Sequence, residues 1–484
     1  MRGPALAAAL AAALAAACLG PLRRGGAPEA VDAEALRDRL AALPQAPGAP
    51  AHLALVTVAG LEPSHYGVGA VPGAPATPTL ALLAELGAAA EAVEPTAPPA
   101  TYPAHATLVT GRPPREHGVV ADQRLGDRGV RRERASHASL LRAPTLWQLA
   151  ADRRLPVAAL DWPTTDGAGI ELLLPDVAPS RRGERWADLA AARATPELAA
   201  RVREAAARGE PLGRAGAARD AFLVDLACER VRGPRPPAFL LLRLSQTEPA
   251  LREGGPAGAP AREALARADA EIARLLACYE DAGRLADAAV AVAGDRALYA
   301  VHTLVRPNAL LAQARLIELE PRGGVARWSA IARANGGSAF VYARGERAAL
   351  EARGVLEDVA RRTGVFRVVS ADEMIRLGAD PDAWFGLEAL AGFAFSDGVT
   401  PPIQVASRAR AANGRLWEDR AATAGFVAFG RGVRRGVRIP RMAQLDVAPT
   451  LAALVGMPLE GVEGRVLVGV LSAAPAPPRG GAPR

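Results

Sequence analysis

Short, almost wholly apolar runs separated by segments of helical length are what most restricts how this chain can fold. The runs are Leu53–Ala59, Val157–Leu160, Phe239–Leu244, Ala288–Ala293 and Phe426–Phe429. A strand covered on both faces loses the polar/apolar alternation of an exposed strand and reads as a continuous hydrophobic stretch. Helix-like segments lie between them: Thr79–Leu86, Thr145–Ala151, Pro196–Arg208, Ala218–Val231 and Ala261–Tyr279. Several open with Thr or Pro, as helix starts do. This order of elements predicts an α/β fold with a mostly parallel central sheet and helices on both faces.

Between residues 303 and 400 the pattern changes. Phe340–Tyr342 and Phe366–Val369 flank the helix-like Arg347–Arg361, which predicts a smaller α+β insertion. The expected organisation is therefore a leader over 1–18, a linker with a short helix over 19–50, an α/β core over 51–302 and 401–472 interrupted by the 303–400 insertion, and a disordered Pro/Gly/Ala/Arg tail over 473–484. A chain of 484 residues exceeds what one hydrophobic core usually organises, so a core with a sizeable insertion suits its length.

The leader has Arg2, an Ala/Leu run and then Ala15-Ala16-Ala17-Cys18, the charged, apolar and small-residue regions of an export signal. Its apolar stretch of about a dozen residues is short for a membrane span. The expectation is an exported, periplasmic or envelope-anchored protein whose only membrane contact is a lipid on Cys18. An unlipidated Cys18 and an uncleaved Ala-rich helix remain the other readings. Past the leader, Cys228 and Cys278 either pair in an oxidising compartment or stay as two buried thiols. The net charge is +7 and every basic residue is arginine. These arginines are interleaved with Asp and Glu along the chain and do not form one basic face, which argues against nucleic-acid binding.

In open parallel sheets the reactive groups sit beyond the carboxyl ends of the strands. Read there, the chain resembles the type I phosphodiesterase/nucleotide pyrophosphatase family of the alkaline phosphatase superfamily. The resemblance rests on LVTVAGLEPSHYG (55–67), PPATYPAHATLVTGRPPREHGVVAD (98–122), PTLWQLAADRRLPVAALDWPTTDG (144–167), LLRLSQTEPALREGGP (241–256), VAVAGDRAL (290–298) and QLDVAPTLAALVGMPLEGVEGRVL (444–467). It implies the alkaline-phosphatase-like fold, a Thr or Ser nucleophile, and two zinc ions that activate the hydroxyl and stabilise the leaving oxygen.

Carried over position by position, the resemblance puts Thr101 at the nucleophile, at the start of a helix whose free N–H groups can receive a phosphate. The ligand positions are largely changed. The first, an Asp in the family, is Ala59. The Asp and His four residues apart are Glu248 and Arg252, the adjacent Asp-His pair is Asp295-Arg296, and the last His falls on Asn413. Arginine stays protonated and offers no lone pair. The Asn that contacts phosphate falls on Asp122, whose charge would repel the substrate, and Trp162 falls in the segment lining the substrate cleft, where it either stacks a ring or is structural.

No cofactor is therefore expected beyond weak residual metal binding, and Arg252 and Arg296 are expected to neutralise Glu248 and Asp295. The six histidines offer no two-His helix motif; a relocated zinc site would have to use His65 with His105 or His302. The reading is a catalytically impaired pseudoenzyme that binds a small anionic or phosphoester ligand, with Arg252 and Arg296 as clamps. The alternatives are a phosphodiester or phosphonate hydrolase that uses Thr101 with little or no metal, and a structural envelope protein.

Overall fold

A computed structural model describes residues 31–68, 76–213, 215–416 and 423–473. The expected export signal with Cys18, and the tail beyond residue 473, lie outside the described residues.

The apolar runs form the central sheet. Its eight strands are β1 (His52–Val58), β2 (Ala88–Ala90), β3 (Val157–Trp162), β4 (Leu172–Pro175), β5 (Phe239–Leu244), β6 (Ala288–Gly294), β7 (Phe426–Gly430) and β8 (Val437–Ile439), in the order β8-β2-β7-β6-β1-β5-β3-β4. From β6 to β4 all pairings are parallel, and β7 runs antiparallel to both β6 and β2. Strands β2, β4 and β8 were not anticipated. They are three or four residues long and lie at or near the sheet edges, too short to leave a pattern.

Period-two geometry splits each strand between two cores. Ala54, Val56 and Val58 face the layer of Ala217–Arg232 and Ala259–Asp281, whereas Leu53 and Leu55 face Leu108, Trp147 and Leu451 on the other side. Cys228 and Cys278 form a disulfide that joins the two helices of the first layer. The long Ala259–Asp281 helix also caps a neighbour. Asp269 accepts hydrogen bonds from Thr79 N (3.0 Å) and Leu80 N (2.7 Å), which have no partner within their own helix, Pro78–Leu86.

Within 303–400 a separate antiparallel sheet forms in the order Ala330–Ala334, Ser338–Ala343, Phe385–Ala389, Phe366–Val369. The helix Glu346–Thr363 packs on it through Ala352 and Leu356, giving this part its own apolar core. Among the described residues, no helix is long and apolar enough to cross a membrane.

Candidate active site

The carboxyl ends of β1, β5 and β6 and the start of the helix Thr101–Thr110 supply the residues singled out above. β1 runs into Ala59-Gly60. Gly60 has φ +73°, and a Cβ there would lie 2.6 Å from a Leu251 methyl, so the turn requires glycine. The tight turn lets Gly60 N donate to Asp295 Oδ1 at 3.2 Å, just past the end of β6. Gln444 holds the same turn from the other side, donating to the Gly294 and Asp295 carbonyls at 3.0 and 2.7 Å. After β5 the helix Thr247–Gly254 places Glu248 and Arg252 one turn apart on the same face.

Glu248, Arg252, Asp295, Arg296 and Asn413 come together in one ionic network. Arg296, 1% exposed at its side chain, contacts Asp295 Oδ2 through Nη1, and its Nη2 lies 3.0 Å from Glu248 Oε1. That second contact is an ion pair only, because Nη2 makes no hydrogen bond. Arg252 donates to the same Glu248 oxygen through Nε (3.2 Å) and Nη2 (3.0 Å), and Nη2 also reaches Asn413 Oδ1 at 3.0 Å. Asn413 is fixed in turn by donating to the Pro99 carbonyl at 2.9 Å. Burial pushes Glu248 up, but Arg296, Arg252 and Arg243 outweigh it and hold the carboxyl well below the usual range. Burial also pushes Asp295 up, yet its contact with a permanently charged guanidinium and its bond to Gly60 favour the ion pair.

Arg243 belongs to this network and was missed from the sequence. It interrupts the apolar run of β5, and a charge on a strand covered on both faces was the available signal. Its Nη2 lies 3.7 Å from Glu248, and its Nη1 lies 3.3 Å from Asp176 and 3.6 Å from Asp161, joining the cluster to carboxylates at the ends of β4 and β3. Asp161 sits at φ 55°, and neither of its oxygens makes a hydrogen bond. It has only charge contacts, to Arg243 and, at 4.0 Å, to Arg219. Burial, reinforced by Asp176, pushes Asp161 up to about 7 against both arginines.

Thr101 is the first residue of its helix, 4% exposed, preceded by Ala100, which has no side chain able to cap. Asp122 takes over that role: its Oδ1 accepts from Tyr102 N at 2.8 Å. A carboxylate of the chain thus occupies an N–H group at the helix start, where an external anion would be received. Trp162 is wholly buried and packs edge-to-face on His105, centroids 4.9 Å apart, so it does not stand in an open cleft. The burial that makes it a core residue also removes its ring from a ligand.

The relocated zinc site does not form. His105 donates from Nδ1 to the Thr101 carbonyl (2.7 Å) while Nε2 accepts from the Thr57 hydroxyl (2.9 Å), and burial holds it neutral. His65 accepts from Glu62 N, and His302 pairs with the Thr303 hydroxyl. Among the described residues no group of three or more His, Cys, Asp or Glu side chains is arranged to hold a metal ion. At the expected ligand positions stand a methyl group, two guanidinium groups, two carboxylates already paired with them, and the Asn413 amide, whose oxygen accepts from Arg252. This donor set does not fit two zinc ions, which need three or four lone-pair donors each. Arg296, enclosed between Asp295 and Glu248, is not free to act as a clamp; Arg252, with 38% of its side chain exposed, is the accessible one of the pair.

A search of curated proteins returns no match. Among solved structures, a point variant of murine ectonucleotide pyrophosphatase/phosphodiesterase 5, made inactive by a Thr-to-Ala change and in complex with AMP, superposes with a TM-score of 0.61 at 14% identity, covering 87% of this chain and 100% of that one. The human form of that protein matches with a TM-score of 0.60 at 15% identity, over 87% and 100%. These likenesses show a shared fold. The type I phosphodiesterase/nucleotide pyrophosphatase model matches residues 53–377, more than half of the chain, and the chain belongs to that family.

Proposed function

We propose that this protein is an exported, catalytically impaired member of its family that binds a small anionic or phosphate-containing ligand. One observation carries the reading: the strand ends where the resemblance implies two metal ions are filled by the mutually neutralising set Glu248, Arg252, Asp295 and Arg296. Carboxylates stripped of dications and left buried would cost several kcal/mol each. The arginines offset that cost from within the chain. Asp122 supports the same reading, because its charge lies at the helix start that a phosphate would otherwise approach. The Cys228–Cys278 disulfide supports an oxidising compartment, and the complex of the murine relative with AMP supports a phosphate-bearing ligand.

Thr101 at the head of its helix favours the second reading, a hydrolase of phosphodiester or phosphonate esters with little metal dependence. Metal analysis of the purified protein, with an aryl phosphodiester assay run with and without added zinc, separates the two. The expected outcome is sub-stoichiometric metal and no turnover above that of Thr101→Ala. Near-stoichiometric metal with turnover that Thr101→Ala abolishes would overturn the proposal.

A further inference from the structure

A cavity of about 510 Å³ opens between the hairpin that follows Asp122 and the insertion, and neither Thr101 nor Asp122 lines it. One wall is the pair of strands Gln123–Gly126 and Gly129–Arg134; the facing wall carries Trp328, Arg333 and Tyr342 from the insertion. Four arginines line it, Arg124, Arg131, Arg142 and Arg333, against three aspartates. Two of those aspartates are already matched. Asp127 accepts from Arg344 at 2.7 Å, and Asp380 accepts from Arg333 at 3.1 Å and from the Tyr342 hydroxyl at 2.6 Å.

Arg124, Arg131 and Arg142 are different. Their side chains make no hydrogen bond or ion pair among the described residues, in a chain whose arginines are widely paired with acids. All three are exposed around the concave space, so their guanidinium groups are free to exchange water for an anion, and the planar fork of arginine matches phosphate oxygens. Arg333 adds a buried component. It is 4% exposed, and its Nε has no hydrogen-bond partner. The wall is also aromatic: the Arg333 guanidinium lies 4.8 Å over Tyr342, and Arg344 lies 4.6 Å over Trp328, whose indole N–H is fixed on the Gly126 carbonyl at 3.1 Å.

We propose that this cavity binds a phosphorylated small molecule carrying a planar ring, with Arg124, Arg131 and Arg142 holding the phosphates and Trp328 contacting the ring. The inference rests on the reading of an anionic ligand given above and moves it away from the strand ends, where Arg296 is enclosed. Isothermal titration calorimetry of the full chain at ~50 mM salt, where exposed charges are only partly screened, tests it with ADP, inorganic pyrophosphate and adenosine. ADP should bind more tightly than pyrophosphate, and adenosine more weakly than either. The double variant Arg131→Ala/Arg142→Ala should weaken both phosphates by about tenfold or more, the loss expected for a charge-assisted hydrogen bond. Arg124→Glu, on the exposed hairpin, should weaken both as a single change. Trp328→Leu should weaken ADP and leave pyrophosphate unchanged. Affinities untouched by the arginine variants, or no heat with any probe at millimolar concentration, would overturn the proposal. Binding lost in Arg252→Ala instead would place the ligand at the strand ends, overturning this site while leaving the proposed function standing; metal-dependent turnover would do the reverse.

Discussion

At the scale of single residues, Arg296 and Arg252 look alike in the sequence and are energetically unlike in the fold. Arg296 is enclosed with two carboxylates around it, whereas Arg252 bonds Glu248 and Asn413 from a position open to water. Breaking one side of a buried ion pair leaves an uncompensated charge and costs about 3–5 kcal/mol. An exposed pair contributes about 1 kcal/mol or less. Arg296→Met should therefore destabilise the protein severalfold more than Arg252→Met, read as the difference in urea midpoints at constant m-value. Equal losses would mean that Arg296 is not the neutralising partner of Asp295 and Glu248. Both arginines were singled out through the resemblance, which sets them where the family has imidazoles, and the structure pairs them with Glu248 and Asp295. Arg243 was not singled out, because its partners Asp161 and Asp176 come from two other strands and only the sheet order β5-β3-β4 brings them together.

Among the elements, legibility followed burial. β1, β5 and β6 stood out because helices cover both of their faces and favour apolar residues at nearly every position, Arg243 in β5 and Thr57 in β1 being exceptions. β2 is three alanines, which propensity favours in a helix and only the neighbouring β7 and β8 turn into a strand. The Ala217–Arg232 and Ala259–Asp281 helices were visible as amphipathic segments, but their contact through Cys228 and Cys278 was one of two open readings. The bridge closes a separation of 50 residues, and restricting the unfolded chain over such a loop stabilises the fold by about 2–4 kcal/mol. Cys228→Ala/Cys278→Ala should lower the thermal midpoint clearly. The unmodified protein treated with reductant should approach the midpoint of the variant, and a midpoint that does not respond to reductant would show that the two sulfurs are not bonded.

For the whole molecule, the proposed impairment raises the question of whether a change of ligands alone would separate this chain from a metal-binding relative or whether the space between them differs as well. The β-strand ends still converge, with Gly60, Asp295 and Glu248 in contact through one hydrogen bond and one shared guanidinium. What fills the gap is side chain, since Arg252 and Arg296 occupy the volume between the carboxylates. Side chains are replaceable without moving the backbone turns, which are fixed independently by Gly60 and by the Gln444 bonds to Gly294 and Asp295. The combined variant Ala59→Asp, Glu248→Asp, Arg252→His, Arg296→His, Asn413→His and Asp122→Asn exchanges both guanidinium groups for lone-pair donors and removes the carboxylate at the start of the Thr101 helix. It should retain zinc through dialysis where the natural protein does not, because each ion would then meet at least three good donors. Imidazole and carboxylate ligands introduced singly should fail, since one restored donor beside a remaining guanidinium cannot offset its charge. Failure of the combined variant, in a protein that still unfolds cooperatively, would mean that the strand ends themselves are closed to metal and that the obstacle lies in the backbone.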